Sequence, residues 1–129
     1  MEIYFYWAAT FMSFVTFLVH TFIGGPRVAV PLMEDEQLPK ASKWLNYYCW
    51  HITTIFTFSM GFAFAYVAIK PDRPELAVFL SLVTGACSIL SAAVAKKGNI
   101  NPFRFPSTSL FAVVSMLGLL GLLATKNTF

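Results

Sequence analysis

Charge is what this 129-residue chain has least of. Asp, Glu, Lys and Arg make up 12% of it, half the share of about 25% found in ordinary soluble domains. The few charges present are also missing from four long stretches, roughly residues 3–23, 44–69, 76–95 and 105–125. All 9 Lys and Arg and all 6 Asp and Glu lie between those stretches or at their ends. The longest gap, Gly24–Lys43, leaves no room for a separate soluble catalytic domain.

Other absences narrow the reading further. No segment is rich enough in Lys or Arg to mark a nucleic-acid surface, so the net charge of +3 is read as topology signals and lipid-headgroup contacts. Cysteine is limited to Cys49 and Cys87, inside two different apolar stretches. That placement suits small buried hydrophobes rather than a disulfide framework. A cleavable leader needs a basic start and a small-residue cleavage site. Here Glu2 is the early charge and Ile23-Gly24-Gly25-Pro26 follows the first run, so a retained helix is expected. Internal repeats and mid-run acids are also missing, which makes a transporter or channel the weakest functional class.

What is there is apolar: 57% of residues are hydrophobic. Four uncharged runs of about 20 residues are what a hydrocarbon core of roughly 30 Å requires of helices rising 1.5 Å per residue. The expected fold is therefore an all-α membrane protein, an antiparallel four-transmembrane-helix bundle. It should form a single transmembrane domain over residues 1–129, with helices near 3–23, 44–69, 75–95 and 105–125. The first helix should stop at Gly24-Gly25-Pro26, and residues 24–43 should fold back along the interface as a loop, short helix or lid. Glu34, Asp35 and Glu36 in that loop read as solvated charges. Tyr4, Tyr6 and Trp7, and then Trp44, Tyr47, Tyr48 and Trp50, suit the headgroup boundary.

Helices in lipid associate through close contact of small residues. Such stripes run through Ala9, Ser13, Thr16 and His20, through Ser81, Thr84, Gly85, Ser88 and Ala92, and through Ala112, Ser115, Gly118 and Gly121. The second helix presents a bulkier one, Tyr47, His51, Thr54, Phe58 and Ala65. Basic residues set orientation. Arg27, Lys40, Lys43, Lys96, Lys97 and Arg104 belong to the first and third connections, against Lys70, Arg73 and Lys126 on the other side. Both termini are accordingly expected outside the cytoplasm.

The sharpest local feature is a histidine pair. His20 lies near the end of the first run and His51 near the start of the second, so both should sit at similar depth near one membrane face. An ionisable residue within a span is a candidate functional group, and imidazole is a common haem and metal ligand. His20 and His51 could bind a b-type haem axially or half-build a Cu or Zn site, with Met33, Cys49 and the acidic trio as further ligands. Arg27, just past the predicted helix end, could hold a propionate or a lipid phosphate. The competing reading makes both rings structural, bonded to a carbonyl, hydroxyl or headgroup and locking helix packing.

The His-x-x-x-Gly-Gly segment at His20 and the Trp-His-x-x-Thr segment at Trp50 resemble a family of small bacterial four-helix inner-membrane proteins of no assigned activity. That resemblance implies the fold and a bacterial inner membrane. More distantly, the first segment is similar to the membrane haem-containing protoporphyrinogen oxidase and copper-resistance membrane families. His20, Gly24, Gly25, Pro26 and Arg27 match their pattern. Ile23 stands where those families carry an aromatic residue, and no lysine lies mid-span in a later helix.

Two functional expectations follow. The first is a multi-pass accessory or scaffold subunit without chemistry of its own, partnered by the lipid bilayer and by a larger membrane complex or further copies of itself. The alternative is a haem- or metal-binding redox or assembly protein using the histidine face.

Overall fold

The computed structural model describes residues 1–126. Those residues are helical almost throughout, with no strand among them. Helix α1 spans Glu2–Leu18, a π-helical segment covers Val19–Ala29, and α2 spans Val30–Glu34. Helix α3 spans Lys40–Ile69 and α4 spans Pro74–Lys97. A 3₁₀ turn at Pro102–Arg104 then leads into α5, Pro106–Lys126. Four helical units are long and apolar enough to cross a membrane: Glu2–Glu34, Lys40–Ile69, Pro74–Lys97 and Pro106–Thr125.

Proline opens both later helices, Pro74 in α4 and Pro106 in α5. The first helical position needs no N–H, and the ring's fixed φ suits it. The same residue type does something else at Pro26. There the helix does not stop, contrary to the expectation from Gly24-Gly25-Pro26: the chain stays helical as far as Glu34, and the non-helical connection shrinks to residues 35–39. No glycine adopts a positive φ, so neither Gly24 nor Gly25 serves as a left-handed terminator. Wide i→i+5 winding accommodates the backbone bond that Pro26 cannot donate.

Helix α1 packs against both α3 and α5, and α5 packs against α4 along its length, while α3 and α4 meet sparingly. The centre is built from Tyr6, Ala9, Met60, Phe64, Val67 and Leu80, each nearly or fully buried. Small residues set the spacing. A Cβ on Gly61 would strike the Phe14 ring at 2.6 Å, and one on Gly118 or Gly121 would overlap Ser81 or Tyr6. Phe14 lies edge-on to Phe62, with centroids 5.4 Å apart.

Hydroxyls stitch α4 to α5. Ser115 Oγ donates to the Ser81 carbonyl at 2.8 Å, and Ser88 Oγ donates to the Thr108 carbonyl at 2.6 Å. Ser91 Oγ lies 2.7 Å from Ser107 Oγ and 2.8 Å from Thr108 Oγ1. Other hydroxyls fold back on their own helix: Thr10 donates to the Tyr6 carbonyl, Ser13 to Ala9 and Thr16 to Met12. This back-bonding removes the cost of a polar group on a packed face.

The stripes on α1, α4 and α5 largely coincide with buried positions. Ala9, Ser13, Thr16, Ser81, Thr84 and Ser115 are all buried. The expected stripe on α3 does not. His51 and Phe58 are exposed, and the buried side runs through Thr57, Met60, Gly61, Phe64, Val67 and Ala68. Burial on α3 begins only at Thr57. In the facing segment from Val19 to Glu34, Ala29 is the buried residue.

Length explains this. At 1.5 Å per residue, α5 measures roughly 30 Å and α3 roughly 45 Å. The first two helical units therefore outrun the last two, and the excess forms a helical hairpin that α4 and α5 do not cover. Its tip is braced locally: Lys43 Nζ donates to the Met33 carbonyl at 3.1 Å, and the Asp35 carboxylate accepts from the Gln37 and Leu38 N–H groups.

Candidate functional site: the base of the helical hairpin

The candidate residues His20, His51 and Arg27 all fall at or near the base of this hairpin, on two elements that pack together. His20 stands in the π-helical segment, half-buried. Its ring lies against the Trp50 indole with centroids 3.9 Å apart and planes 23° from parallel. Its Nε2 donates to the Trp50 carbonyl at 3.2 Å. Thr54 Oγ1 donates to that same carbonyl, also at 3.2 Å. Trp50 in turn closes on Gly24, where an added Cβ would sit 2.8 Å from the indole tip. One indole thus touches the helix opposite at two points one turn apart, a ring and a bare backbone.

His51, the next residue on α3, points elsewhere. It is exposed and stands edge-on to the Tyr47 ring, with centroids 4.6 Å apart. Successive helix positions differ by about 100° around the axis, so Trp50 and His51 cannot both face the π-helical segment. Trp50 takes that place. Arg27 is exposed and, among the described residues, has no carboxylate in ion-pair range. Cys49 and Cys87 are free thiols.

A haem held axially by His20 and His51 would need both imidazoles turned inward with open space between them. The hairpin offers neither. An indole covers one face of His20, its Nε2 is engaged by a carbonyl, and His51 faces outward. These residues do not fit a bis-histidine haem. Among the described residues, no three His, Cys, Asp or Glu side chains gather to hold a metal ion. Deeper in the bundle, Ser13, Thr16, Thr57, Met60, Thr84 and Val114 meet from all four helical units with no room for a water molecule.

Two residues at the hairpin base matter more than sequence reasoning indicated. Trp50 positions His20, although its type and place marked it only as part of an interfacial belt. Thr21 carries a hydroxyl that is buried with no hydrogen-bond partner among the described residues. Its neighbours on α1 bond to carbonyls four residues back, whereas Thr21 stands in the π-helical segment and does not. The readable signal was Gly24: a glycine at the depth of a large aromatic on the next helix is a place where the two can close together.

Compared with protein-family models, with curated proteins and with solved structures, the chain matches none.

Proposed function

We propose that this protein is a small multi-pass integral membrane protein that acts as an accessory or scaffold subunit, holding a larger membrane assembly together rather than carrying out chemistry. The observation that carries this reading is the contrast between a solid interior and an uncovered hairpin. The space between Ser13, Thr16, Thr57, Met60, Thr84 and Val114 leaves no room for a water molecule, whereas Trp44, Leu45, Tyr48, Ile52 and Ile55 on α3 are exposed. An apolar helix side of this kind suits contact with another membrane helix.

Within this reading, the four helical units cross the bilayer as an antiparallel bundle. The pairings of Ser81 with Ser115 and of Ser88 with Thr108 support that order, because one partner's number rises as the other's falls. The excess of basic residues on the first and third connections supports a cytoplasmic hairpin tip and non-cytoplasmic termini. The resemblance of the His20 and Trp50 segments to small bacterial four-helix membrane proteins is what supports a bacterial inner membrane. The histidine of the hairpin base serves packing: it locks the π-helical segment to α3.

The test is purification of the tagged chain from its own membranes in mild detergent, with an absorption spectrum and elemental analysis. A companion polypeptide should be retained in fixed ratio. It should be lost when Tyr48 and Ile52 are replaced by serine, and kept when Val113 on α5 is. A Soret band or a stoichiometric metal that disappears in His20→Ala would overturn the reading.

A further inference from the structure

The connection between α4 and α5 is short, ordered and oddly armed. Helix α4 closes with the Ile100 N–H bonded to the Ala95 carbonyl at 2.8 Å, across Asn99 at φ 55°. That is the left-handed C′ residue and six-to-one bond of a Schellman ending, with asparagine in glycine's usual place. The Asn101 side chain then accepts from the Phe103 N–H at 3.0 Å, and the Arg104 N–H bonds to the Asn101 carbonyl at 2.9 Å. Every few residues the backbone is pinned.

Along this pinned turn Phe103 is left 81% exposed, with Ile100 40% exposed near it in the chain. Lys96, Lys97 and Arg104 flank them and are exposed. Among the described residues none of these three has a carboxylate in ion-pair range, whereas Arg73 at the opposite turn faces Asp72 and Glu75 at 4.0 and 3.9 Å. Residues 96–104 contain no acid at all. The hairpin tip differs in sequence, where Glu34, Asp35 and Glu36 lie close to Lys40 and Lys43, although among the described residues none of these acids is in ion-pair range of either lysine.

We infer that the α4–α5 connection is an anchor for acidic phospholipid, with Phe103 seated among the headgroups and Lys96, Lys97 and Arg104 around it binding phosphate. The inference rests on the membrane-spanning reading above and adds a lipid class and a place to it. An aromatic ring suits the boundary between hydrocarbon and headgroups, and unpaired cations beside it complement an anionic leaflet. Helix ending alone would account for two lysines on the last turn of α4. It would not account for Arg104 and an outward phenylalanine on the next turn of chain.

The test uses the full chain in nanodiscs of phosphatidylcholine mixed with phosphatidylglycerol, followed by native mass spectrometry of the lipids retained. The wild type should keep phosphatidylglycerol in preference, by roughly fivefold for each basic residue engaged. Lys96→Gln, Lys97→Gln and Arg104→Gln should lower that preference stepwise, and Phe103→Ser should reduce total lipid retained. Lys70→Gln with Arg73→Gln, at the other end, should leave it intact. Raised salt should weaken it in the wild type, a readout that needs no variant to fold. A lysine acting only on the helix end would change thermal stability and not lipid choice. Equal retention of both lipids by an inserted wild type overturns this inference alone, as does capture of an acidic soluble partner without lipid preference. Failure to insert overturns the membrane reading with it.

Discussion

Gly24 and Gly118 show how much rests on a missing methyl group. At Gly118 a side chain would press into Ser81 and into Phe64, which is fully buried. Gly118→Val should therefore cost on the order of 1–3 kcal/mol, as overpacking does in tight cores, measured as a lowered unfolding midpoint in detergent. Gly25, with nothing within 4 Å of an added Cβ, is the matched control, and Gly25→Ala should leave the midpoint unchanged or slightly raised. Gly24→Ala falls between them. The indole of Trp50 must move, and because His20 stacks on it, the change should appear as a shift in tryptophan emission before it appears in stability. Removing the imidazole itself, His20→Ala, gives up a carbonyl hydrogen bond and a stacked ring. It should cost about 1–2 kcal/mol in the same unfolding assay. His51→Ala, on the outward side, should cost much less.

Among the elements, the π-helical segment Val19–Ala29 is the one that departs most from regular winding. Glycine and proline inside a helix cost about 1 and about 3 kcal/mol relative to alanine, which is why Gly24-Gly25-Pro26 reads as a stop. Wide winding and contact with α3 together offset that cost here, with Trp50 fitted against Gly24 and bonded through its carbonyl to His20. Pro26→Ala should restore an N–H and let regular i→i+4 winding spread through the segment. The expected result is slower amide exchange over residues 22–30, with His20 displaced from Trp50. Unchanged exchange would mean that the wide winding is imposed by α3 and not by the proline. Helix α3 teaches a related lesson. Its apolar content is high all round, so period alone could not say which side is buried, and the expected stripe through His51 and Phe58 lay off the buried line.

For the molecule as a whole, the governing feature is unequal helix length. The first two helical units extend beyond the last two, and the excess stands uncovered as a hairpin with its turn at residues 35–39. Orientation can be checked in cells after Cys49 and Cys87 are changed to serine. A membrane-impermeant thiol reagent should then label Asp72→Cys from outside, and should label Asn101→Cys only after the membrane is opened. The reverse pattern would invert the topology and place the cationic connection on the far leaflet. Replacing residues 35–39 by a glycine-serine turn of equal length should leave the bundle folded, since Phe64, Val67, Leu80 and Val114 lie away from it, and should leave the companion bound, because its contact is at Tyr48 and Ile52.

The exclusion of charge from four long runs determined the number of helical units and, except at the end of the first, their approximate limits, because an unpaired charge is costly in an apolar setting wherever the helix points. That information is one-dimensional, and it was complete before folding. Rotation and neighbour choice were not. Whether His51 or Trp50 faces the first helical unit is a matter of roughly 100° about one axis, and close packing against a particular surface decided it. The same holds for the passage of the helix through Pro26 and the pairing of α5 with both α1 and α4. Each depends on atoms brought together from distant parts of the chain, and local residue preferences carry no record of them.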